Sequence, residues 1–294
     1  MKLTHLVTAL CAACTLSPRL DAAVVINPLA WGLNPGDTFR LVVITAGATN
    51  ATSASIATYD AFVNSQGLSG ITYQGTALTW QALALTPGSS PLTDSSRYSS
   101  TANSTLIYNL NGLAVSNTTN GTRFWQTSGY NQHLNPINWT INGSGNLAQV
   151  GDFNGVWTGF DWDGTPASAR DYDSFGMQIG TVTAALGQSF AYNDYVYDYN
   201  TSQSQLEPKT LYPSVGRAGA VANGWAWVYD ATSLHDSYQM YAMSELITVR
   251  AAATVPESGP WSISALLAGS IGFSAWRRRR PNTLAKAPAE PQAA

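Results

Sequence analysis

Two acidic turn sequences near the middle of the chain contain residue types that can bind a metal ion. They are Asp152-Phe-Asn-Gly155 and, nine residues later, Asp161-Trp-Asp-Gly164. Clustered carboxylate and amide oxygens suit calcium, which prefers hard oxygen ligands. Because the sequence contains no complete EF-hand loop, we favour the simpler interpretation that both segments are turns whose first Asp bonds to the local backbone. Calcium binding by Asp152, Asp161 and Asp163 is the alternative.

A run of alternating tyrosines is a second candidate site. It lies in the segment Tyr192-Asn-Asp-Tyr-Val-Tyr-Asp-Tyr-Asn200. If this segment is a strand, Tyr195, Tyr197 and Tyr199 line one face, because successive side chains of a strand point to opposite sides. Aromatic rings next to Asp and Asn can stack on sugars and leave polar groups free to hydrogen-bond them. Ordinary core packing is the alternative use of these rings.

The sequence contains no motif of the common hydrolases or nucleotide-binding enzymes. His133 and His235 lie in polar loops, and there is no Gly-x-Ser-x-Gly elbow, His-Glu-x-x-His helix or phosphate-binding glycine loop. We therefore predict a protein without catalytic activity. The alternative is a pair of carboxylates that hydrolyses glycosides, for which the chain offers Asp152, Asp161, Asp163, Asp171, Asp173, Glu207 and Glu245.

Charge and composition exclude nucleic acid as a partner. Residues 24–254 contain seven basic and fourteen acidic side chains, a formal net charge of −7. Such a surface repels phosphate backbones. Charged residues make up only 11% of the chain, while Ser, Thr, Asn, Gly and aromatic residues are plentiful. That composition is typical of β-rich extracellular domains.

One helix and several strands must position these residues. Residues 38–45, rich in β-branched and aromatic side chains, predict a strand that enters the core. A helix follows, capped by Ser53 or Ser55 and ending before Gly67. Its apolar residues recur at helical spacing; they are Ile56, Tyr59, Phe62 and Val63.

Turn dipeptides and alternating segments predict further strands. Asn111-Gly112 separates residues 106–110 from 113–116 and indicates a hairpin with a type I′ turn. Other predicted strands are residues 77–86, 156–162, 224–230 and 239–249. We therefore predict an α+β fold, a mostly β single domain with one amphipathic helix.

The N-terminus predicts export. Lys2 precedes the apolar residues 6–16, and residues 17–23 are a polar stretch that ends in alanines. This is the layout of a secretory signal peptide, so we assign residues 1–23 to it. The only cysteines, Cys11 and Cys14, lie inside this segment, and the mature chain therefore has no disulfide.

The C-terminus predicts a membrane helix followed by a cytoplasmic stop. The uncharged residues 261–276 begin with Trp261 and end with Trp276. A helix of this length is about 24 Å long, short for a bilayer of about 30 Å. Tryptophans at both ends favour the membrane interface, and a basic cluster stays on the cytoplasmic side; the cluster is Arg277, Arg278, Arg279 and Arg280.

The tail as a whole resembles the PEP-CTERM sorting signal of exported bacterial proteins. The matching parts are Val255, Pro256 and Glu257, then residues 261–276, then the four arginines. The resemblance implies recognition by an exosortase, a membrane-embedded cysteine protease, in bacteria that typically make exopolysaccharide. The chain departs from the pattern in two places: Ser258 stands where a second proline is usual, and fourteen residues follow the arginines.

The domain between the two ends has weaker resemblances. Residues 44–63, 107–112, 156–159 and 241–249 are similar to a recurrent ectodomain of PEP-CTERM proteins. The Trp-Thr-Gly sequence at 157–159, with an early helix and closing strands, is similar to C-type-lectin-like domains, although the disulfides usual in that fold are absent.

These observations predict an exported cell-envelope or extracellular-matrix protein associated with exopolysaccharide. It is anchored in the inner membrane through its C-terminal helix and, after processing, reaches the cell surface or the medium. The predicted segments are the signal peptide 1–23, a β-rich domain 24–249, a linker 250–260, the helix 261–276 and a basic tail 277–294. The alternatives are a carbohydrate-active enzyme and an unprocessed, tail-anchored structural or adhesion protein.

Overall fold

The computed structural model describes residues 24–116, 123–125, 133–142, 144–160, 165–198, 203–221 and 229–251. The described residues up to Arg250 belong to one compact unit. The predicted signal peptide, sorting tail and membrane helix lie outside the described residues.

The described chain is mostly β-structure. Its first strands are β1 (Val24–Val25), β2 (Thr38–Ile44), β3 (Ile71–Tyr73), β4 (Thr76–Ala77), β5 (Trp80–Ala82), β6 (Leu106–Asn109), β7 (Ala114–Ser116), β8 (Trp139–Ile141) and β9 (Leu147–Gln149). The later strands are β10 (Gly155–Trp157), β11 (Ala167–Tyr172), β12 (Gln178–Ala184), β13 (Phe190–Asp198), β14 (Gln203–Leu211), β15 (Ser214–Arg217), β16 (Tyr229–Asp230), β17 (Gln239–Ser244) and β18 (Ile247–Thr248). The helices are α1 (Ile56–Asn64) and three short 3-10 helices at Pro28–Trp31, Leu68–Gly70 and Tyr98–Ser104.

Strand β2 lies at the centre of the largest sheet, whose order is β16-β15-β10-β17-β2-β6-β7. It runs antiparallel to β17 and parallel to β6. The strands β18 and β5 extend the pairing, β18 with β2 and β5 with β17. The predicted strand at 38–45 is therefore confirmed, and it is buried on both faces.

The two faces of β2 support two separate hydrophobic clusters. Phe39, Leu41 and Val43 belong to the first cluster, whereas Val42 and Ile44 belong to the second. This division follows from the alternation of side chains along a strand. All five side chains are fully buried, so each face of the sheet has its own core.

Helix α1 confirms the predicted helix and covers the first cluster. Its Tyr59 and Val63 are buried there, and Ser55 is its N-cap residue, although no side-chain cap bond forms. Burial raises the pKa of Tyr59 to about 12, while its hydroxyl donates to the carbonyl of Ser53 at 2.7 Å. The helix ends at Asn64 with Ser65 as its C-cap, two residues before the predicted Gly67.

The predicted hairpin around Asn111-Gly112 forms between β6 and β7, but the turn is not of type I′. Gly112 has a positive φ of 77°, whereas Asn111 does not. The side chain of Asn109 stabilises the loop instead by accepting from the backbone N–H of Asn111 and Leu113. The turn with two positive φ angles lies between β3 and β4, at Gln74 (50°) and Gly75 (79°). Type I′ geometry requires both residues in that region.

Two long hairpins that the sequence did not predict lie between β10 and β15. The first joins β11 to β12, and the second joins β13 to β14. They pack on each other, since a carboxylate oxygen of Asp171 accepts from the N–H of Asn193 at 2.9 Å. We call these two hairpins, residues 167–211, the arm.

Other predicted strands are shorter or interrupted. Residues 77–86 contain the end of β4 and all of β5, and residues 239–249 divide into β17 and β18. Strand β10 ends at Trp157, and residues 161–162 lie outside the described residues. Of the predicted strand 224–230, the structure describes Tyr229–Asp230, which form β16.

The Trp-Thr-Gly sequence ends at a glycine that no other residue can replace without strain. Gly159 has a φ of +70°, and a Cβ there would lie 2.7 Å from the carbonyl oxygen of Leu85. Left-handed backbone costs a residue with a Cβ about 1 to 2 kcal/mol. The close contact with Leu85 adds to that cost, because a backbone atom cannot move aside as a flexible side chain can.

We expect Gly159→Ala to lower the free energy of unfolding by about 2 kcal/mol or more. The matched control is Gly70→Ala, because a Cβ at Gly70 meets nothing within 4 Å. Chemical denaturation of the two variants measures the difference. Equal stability of the two variants would contradict the assigned role of Gly159.

Candidate functional site

An open cavity of about 620 Å³ lies between the sheet and the base of the arm. One wall is the loop at 85–94 that leaves β5, and the other is formed by residues at the two ends of the first hairpin of the arm. The lining residues that the structure describes are Leu85, Thr86, Pro87, Gly88, Ser89, Ser90, Leu92, Thr93, Asp94, Thr165, Pro166, Thr183, Ala185 and Gln188.

Asp94 orders the first wall. Its carboxylate accepts from the hydroxyl of Ser89 at 2.7 Å, and from the hydroxyl and N–H of Ser96 at 2.6 and 3.0 Å. These bonds, those from Ser96 first, hold the pKa of Asp94 below its ordinary value. The carboxylate therefore stays ionised at neutral pH.

A bidentate ion pair fixes the same loop to the helix. Both terminal nitrogens of Arg97 lie 2.6 Å from the carboxylate oxygens of Asp60 on α1. Arg97 also donates to the carbonyl of Ala82 in β5, whose N–H donates to Asp60. Paired N–H···O bonds of this kind fix orientation as well as distance, so the loop, the helix and the sheet are held together at one point.

The second wall is joined to the first by backbone hydrogen bonds. Leu186 donates from its N–H to the carbonyl of Leu85 at 3.0 Å, and Gly187 donates to Ala51 at 2.8 Å. Phe160 and Pro166 form an isolated bridge at the entry to the arm. The cavity therefore exists because the arm is connected to the sheet beside the loop at 85–94.

The lining is rich in hydroxyl groups and poor in charge. It includes hydroxyls of Ser89, Ser90, Thr93 and Thr183 and the amide of Gln188, while Asp94 is the single charged residue of the described lining. The hydroxyl oxygen of Thr86 is buried without a hydrogen-bond partner among the described residues. Such a lining can exchange hydrogen bonds with a polyhydroxylated ligand.

Of the three acidic residues considered for calcium binding, the structure describes Asp152 alone. Its Oδ1 accepts from the side-chain amide of Asn138 at 3.0 Å. Asn154 donates from its N–H to the carbonyl of Gly151, which forms a turn before β10. The turn is therefore present, but the Asp152 carboxylate accepts from the side chain of Asn138 and not from the local backbone. Asp161 and Asp163 lie outside the described residues, and calcium binding stays a prediction.

Tyr195 lies on strand β13, in the segment of alternating tyrosines that the sequence analysis considered as a strand. Other residues of the arm cover about half of its side chain. A Cβ on Gly176 would lie 2.9 Å from the ring, and the ring of Tyr172 is 6.3 Å away. The backbone of Tyr197 lies opposite Ser204 in the same hairpin. Tyr199 lies outside the described residues. The described lining of the cavity includes neither Tyr195 nor Tyr197.

The remaining predicted carboxylates bond separately to nearby groups. Asp173 accepts from the N–H groups of Phe175 and Met177 in the turn between β11 and β12. Glu245 accepts from the N–H of Thr79, and Glu207 from the amide of Gln205. Within the described ranges, no group of three or more His, Cys, Asp or Glu residues is placed to hold a metal ion.

His133 and His235 differ in environment, which the sequence did not predict. His133 is buried, and its ring stacks on Phe124 at a centroid distance of 4.9 Å. Burial lowers the pKa of His133 to about 3, so the ring is neutral at physiological pH. His235 is exposed in a loop. Neither belongs to the described lining of the cavity.

Comparison of the chain with protein-family models, with curated proteins and with solved structures found no match. In the part of the chain that the structure describes, no helix is long and apolar enough to cross a membrane. The predicted membrane helix at 261–276 lies outside that part.

Sequence analysis missed the residues of the cavity. The sequence predicted no functional residue in the loop at 85–94 and did not predict the hairpins of the arm. One local signal was available, because Asp94-Ser-Ser96 has the residue types of a turn in which Asp bonds to the backbone two residues on. Contacts with Thr165, Thr183 and Gln188 depend on tertiary structure alone.

The hydrogen bonds of Asp94 predict a defined dependence of stability on pH. Because the folded pKa lies below the unfolded value, ionised Asp94 stabilises the fold fully above about pH 5, and this contribution is lost as the pH falls through the folded pKa. We expect wild type to exceed Asp94→Asn in free energy of unfolding at neutral pH, by a margin that shrinks on acidification. Urea titrations between about pH 7 and about pH 2.5 measure it. A constant margin would contradict this assignment.

Proposed function

We propose that this chain is an exported envelope or matrix protein, sorted through its C-terminal tail, that binds a saccharide in the cavity beside the arm without catalysing a reaction. The observation that supports saccharide binding is the hydroxyl-rich lining, which contains one amide and one charged side chain among its described residues. Sugars present many hydroxyls, and each one needs a partner when it leaves water.

Export and sorting are supported by the sequence at both ends. Residues 1–23 have the layout of a signal peptide, and residues 255–280 resemble the PEP-CTERM signal in order and in residue type. Because residues 24–254 contain no cysteine, the domain can fold after export without disulfide formation. The two hydrophobic clusters provide its core.

Binding without catalysis is supported by the charge of the lining. Hydrolysis of glycosides usually requires two carboxylates on opposite sides of the scissile bond, and Asp94 is the one carboxylate of the described lining. Asp94 is also engaged by Ser89 and Ser96. Its role in this proposal is to shape the loop and to accept hydrogen bonds from the ligand.

A lectin-like arrangement of the domain is part of the same proposal. The features that support it are the early helix α1, the closing strands β17 and β18, and the Trp157-Thr-Gly159 turn at the entry to the arm. Saccharide binding by the tyrosine face of β13 is a second location within this proposal, supported by the partly exposed Tyr195.

Sorting predicts that the chain is shortened at its C-terminus. We expect a form that ends near residue 255 in the medium of the producing bacterium and a form that ends at Ala294 in its membranes. Replacing Pro256 and Glu257 by Ala should abolish the shortened form, whereas Pro281→Ala should not, because Pro281 follows the arginines. Intact-mass spectrometry of both fractions measures this. A chain that always ends at Ala294 would identify an unprocessed, tail-anchored protein.

Saccharide binding in the cavity predicts that a blocked cavity loses affinity. Because residues 24–294 contain no cysteine, a single cysteine introduced at Thr93 can be labelled with a bulky maleimide. We expect the labelled Thr93→Cys protein to lose most of its retardation in gels that contain the producer's exopolysaccharide. The unlabelled variant should be retarded like wild type.

The matched control is Ser95→Cys, labelled in the same way. Ser95 is exposed two residues further along the same loop, but it does not line the cavity. Equal retardation of the two labelled proteins would place binding outside the cavity. Absence of retardation for wild type would exclude this polysaccharide as the ligand.

A further inference from the structure

The outer edge of β12 is unpaired in the described structure. β12 pairs with β11 on one side, and the sheet to which both belong contains these two strands alone. The side chains from Gln178 to Thr181 are exposed along this edge. The backbone N–H and C=O groups that face away from β11 are therefore available to another strand, apart from the carbonyl of Gly180, which accepts from the side-chain amide of Gln178 at 3.2 Å.

The edge of β12 lacks the charges and prolines by which natural proteins protect free strand edges. Residues 177–184 contain no charged residue and no proline. By contrast, β14 at the other free edge of the arm contains Glu207, Pro208 and Lys209. Charges and prolines on an edge prevent pairing with another chain. One bulge, at Ile179, interrupts the β12 edge near its start, and the regular segment runs from Gly180 to Ala184.

Large apolar side chains lie next to this edge and in contact with water. Phe175 is 85% exposed, Met177 66% and Ile179 62%. All three are within five residues of one another in the turn and the first part of β12. Clustered exposed apolar groups of this size mark surfaces that bind another protein.

A second copy of this chain fits the edge better than an unrelated partner. An antiparallel pair of identical strands is self-complementary, because a two-fold axis places the same donors and acceptors opposite each other. The domain has a formal net charge of −7 over residues 24–254, so two copies repel each other over much of their surface. Because residues 177–184 carry no charge, pairing of this stretch with its copy brings no like charges together.

We propose that β12 strands of two copies pair antiparallel about a two-fold axis and form a four-stranded sheet, β11-β12-β12-β11. Phe175, Met177 and Ile179 of both copies contribute apolar area to the contact. This inference is independent of the proposed function, since neither a saccharide nor the sorting tail takes part in the contact.

Single-cysteine crosslinking of the full chain tests the pairing. Cys11 and Cys14 are replaced by Ala, so that an introduced cysteine is the only thiol. Opposed residues in antiparallel strands have Cα atoms about 4.5 to 5.5 Å apart. We expect the purified Thr181→Cys protein, treated in solution with a short bismaleimide, to give several-fold more crosslinked dimer than Ser204→Cys, an exposed position in β14.

A charge on the edge should abolish the crosslink. Adding Ile179→Lys to Thr181→Cys is expected to reduce the dimer several-fold, because a charge next to the edge opposes pairing with another strand. Adding Leu113→Lys, at an exposed aliphatic position away from the arm, should leave the amount of dimer unchanged. Thermal unfolding of each variant checks that it is folded.

Any one of three results would overturn the proposal. They are equal crosslinking at Thr181 and Ser204, no dimer at Thr181, and a dimer that persists with Ile179→Lys. If Ile179→Lys fails to fold, Thr181→Lys is measured instead by sedimentation velocity. In that measurement wild type should sediment as a dimer and the variant as a monomer, and identical sedimentation would overturn the proposal.

Discussion

The fold depends on the pairing of its first long strand, β2, with its last long strand, β17. The register joins Tyr241 to Ile44 and Met243 to Val42, about two hundred residues apart in sequence. Both hydrophobic clusters contain side chains of β2 and of β17, so this one pairing contributes to the core on both faces of the sheet. Such long-range pairing is entropically expensive, and burial on both faces of the sheet compensates for it.

Polar side chains at this central sheet form hydrogen bonds between its strands and the neighbouring segments. Arg40 lies within β2, where its guanidinium donates to the carbonyl of Ser244 and to the hydroxyl of Thr101. The Ser244 hydroxyl oxygen accepts from the N–H of Leu41, which joins the end of β17 to β2. Burial lowers the pKa of Arg40, but a guanidinium stays charged at every physiological pH. The charge is therefore retained and solvated by the protein.

The candidate site is a consequence of how the arm is inserted. β10 and β15 are adjacent in the sheet, so the arm between them leaves and returns at one place, beside the loop at 85–94. The Asp60–Arg97 ion pair then fixes that loop to α1 and β5. A rigid scaffold with a loop and an inserted arm is a common way to build a binding cavity. The same insertion leaves the edge of β12 exposed.

Local patterns in the sequence determined the features that depend on neighbouring residues. Strand β2, helix α1 and the β6–β7 hairpin were predictable because their signals, β-branched runs, helical spacing and a turn dipeptide, act within a few residues. The arm was not predictable from the sequence, because exposed hairpins of polar residues such as β14 have weak local patterns. The division of residues 239–249 at Glu245 was not predicted either. Only the tertiary structure decided the cavity, the ion pair of Asp60 with Arg97 and the burial of His133, because each joins segments that no sequence spacing relates.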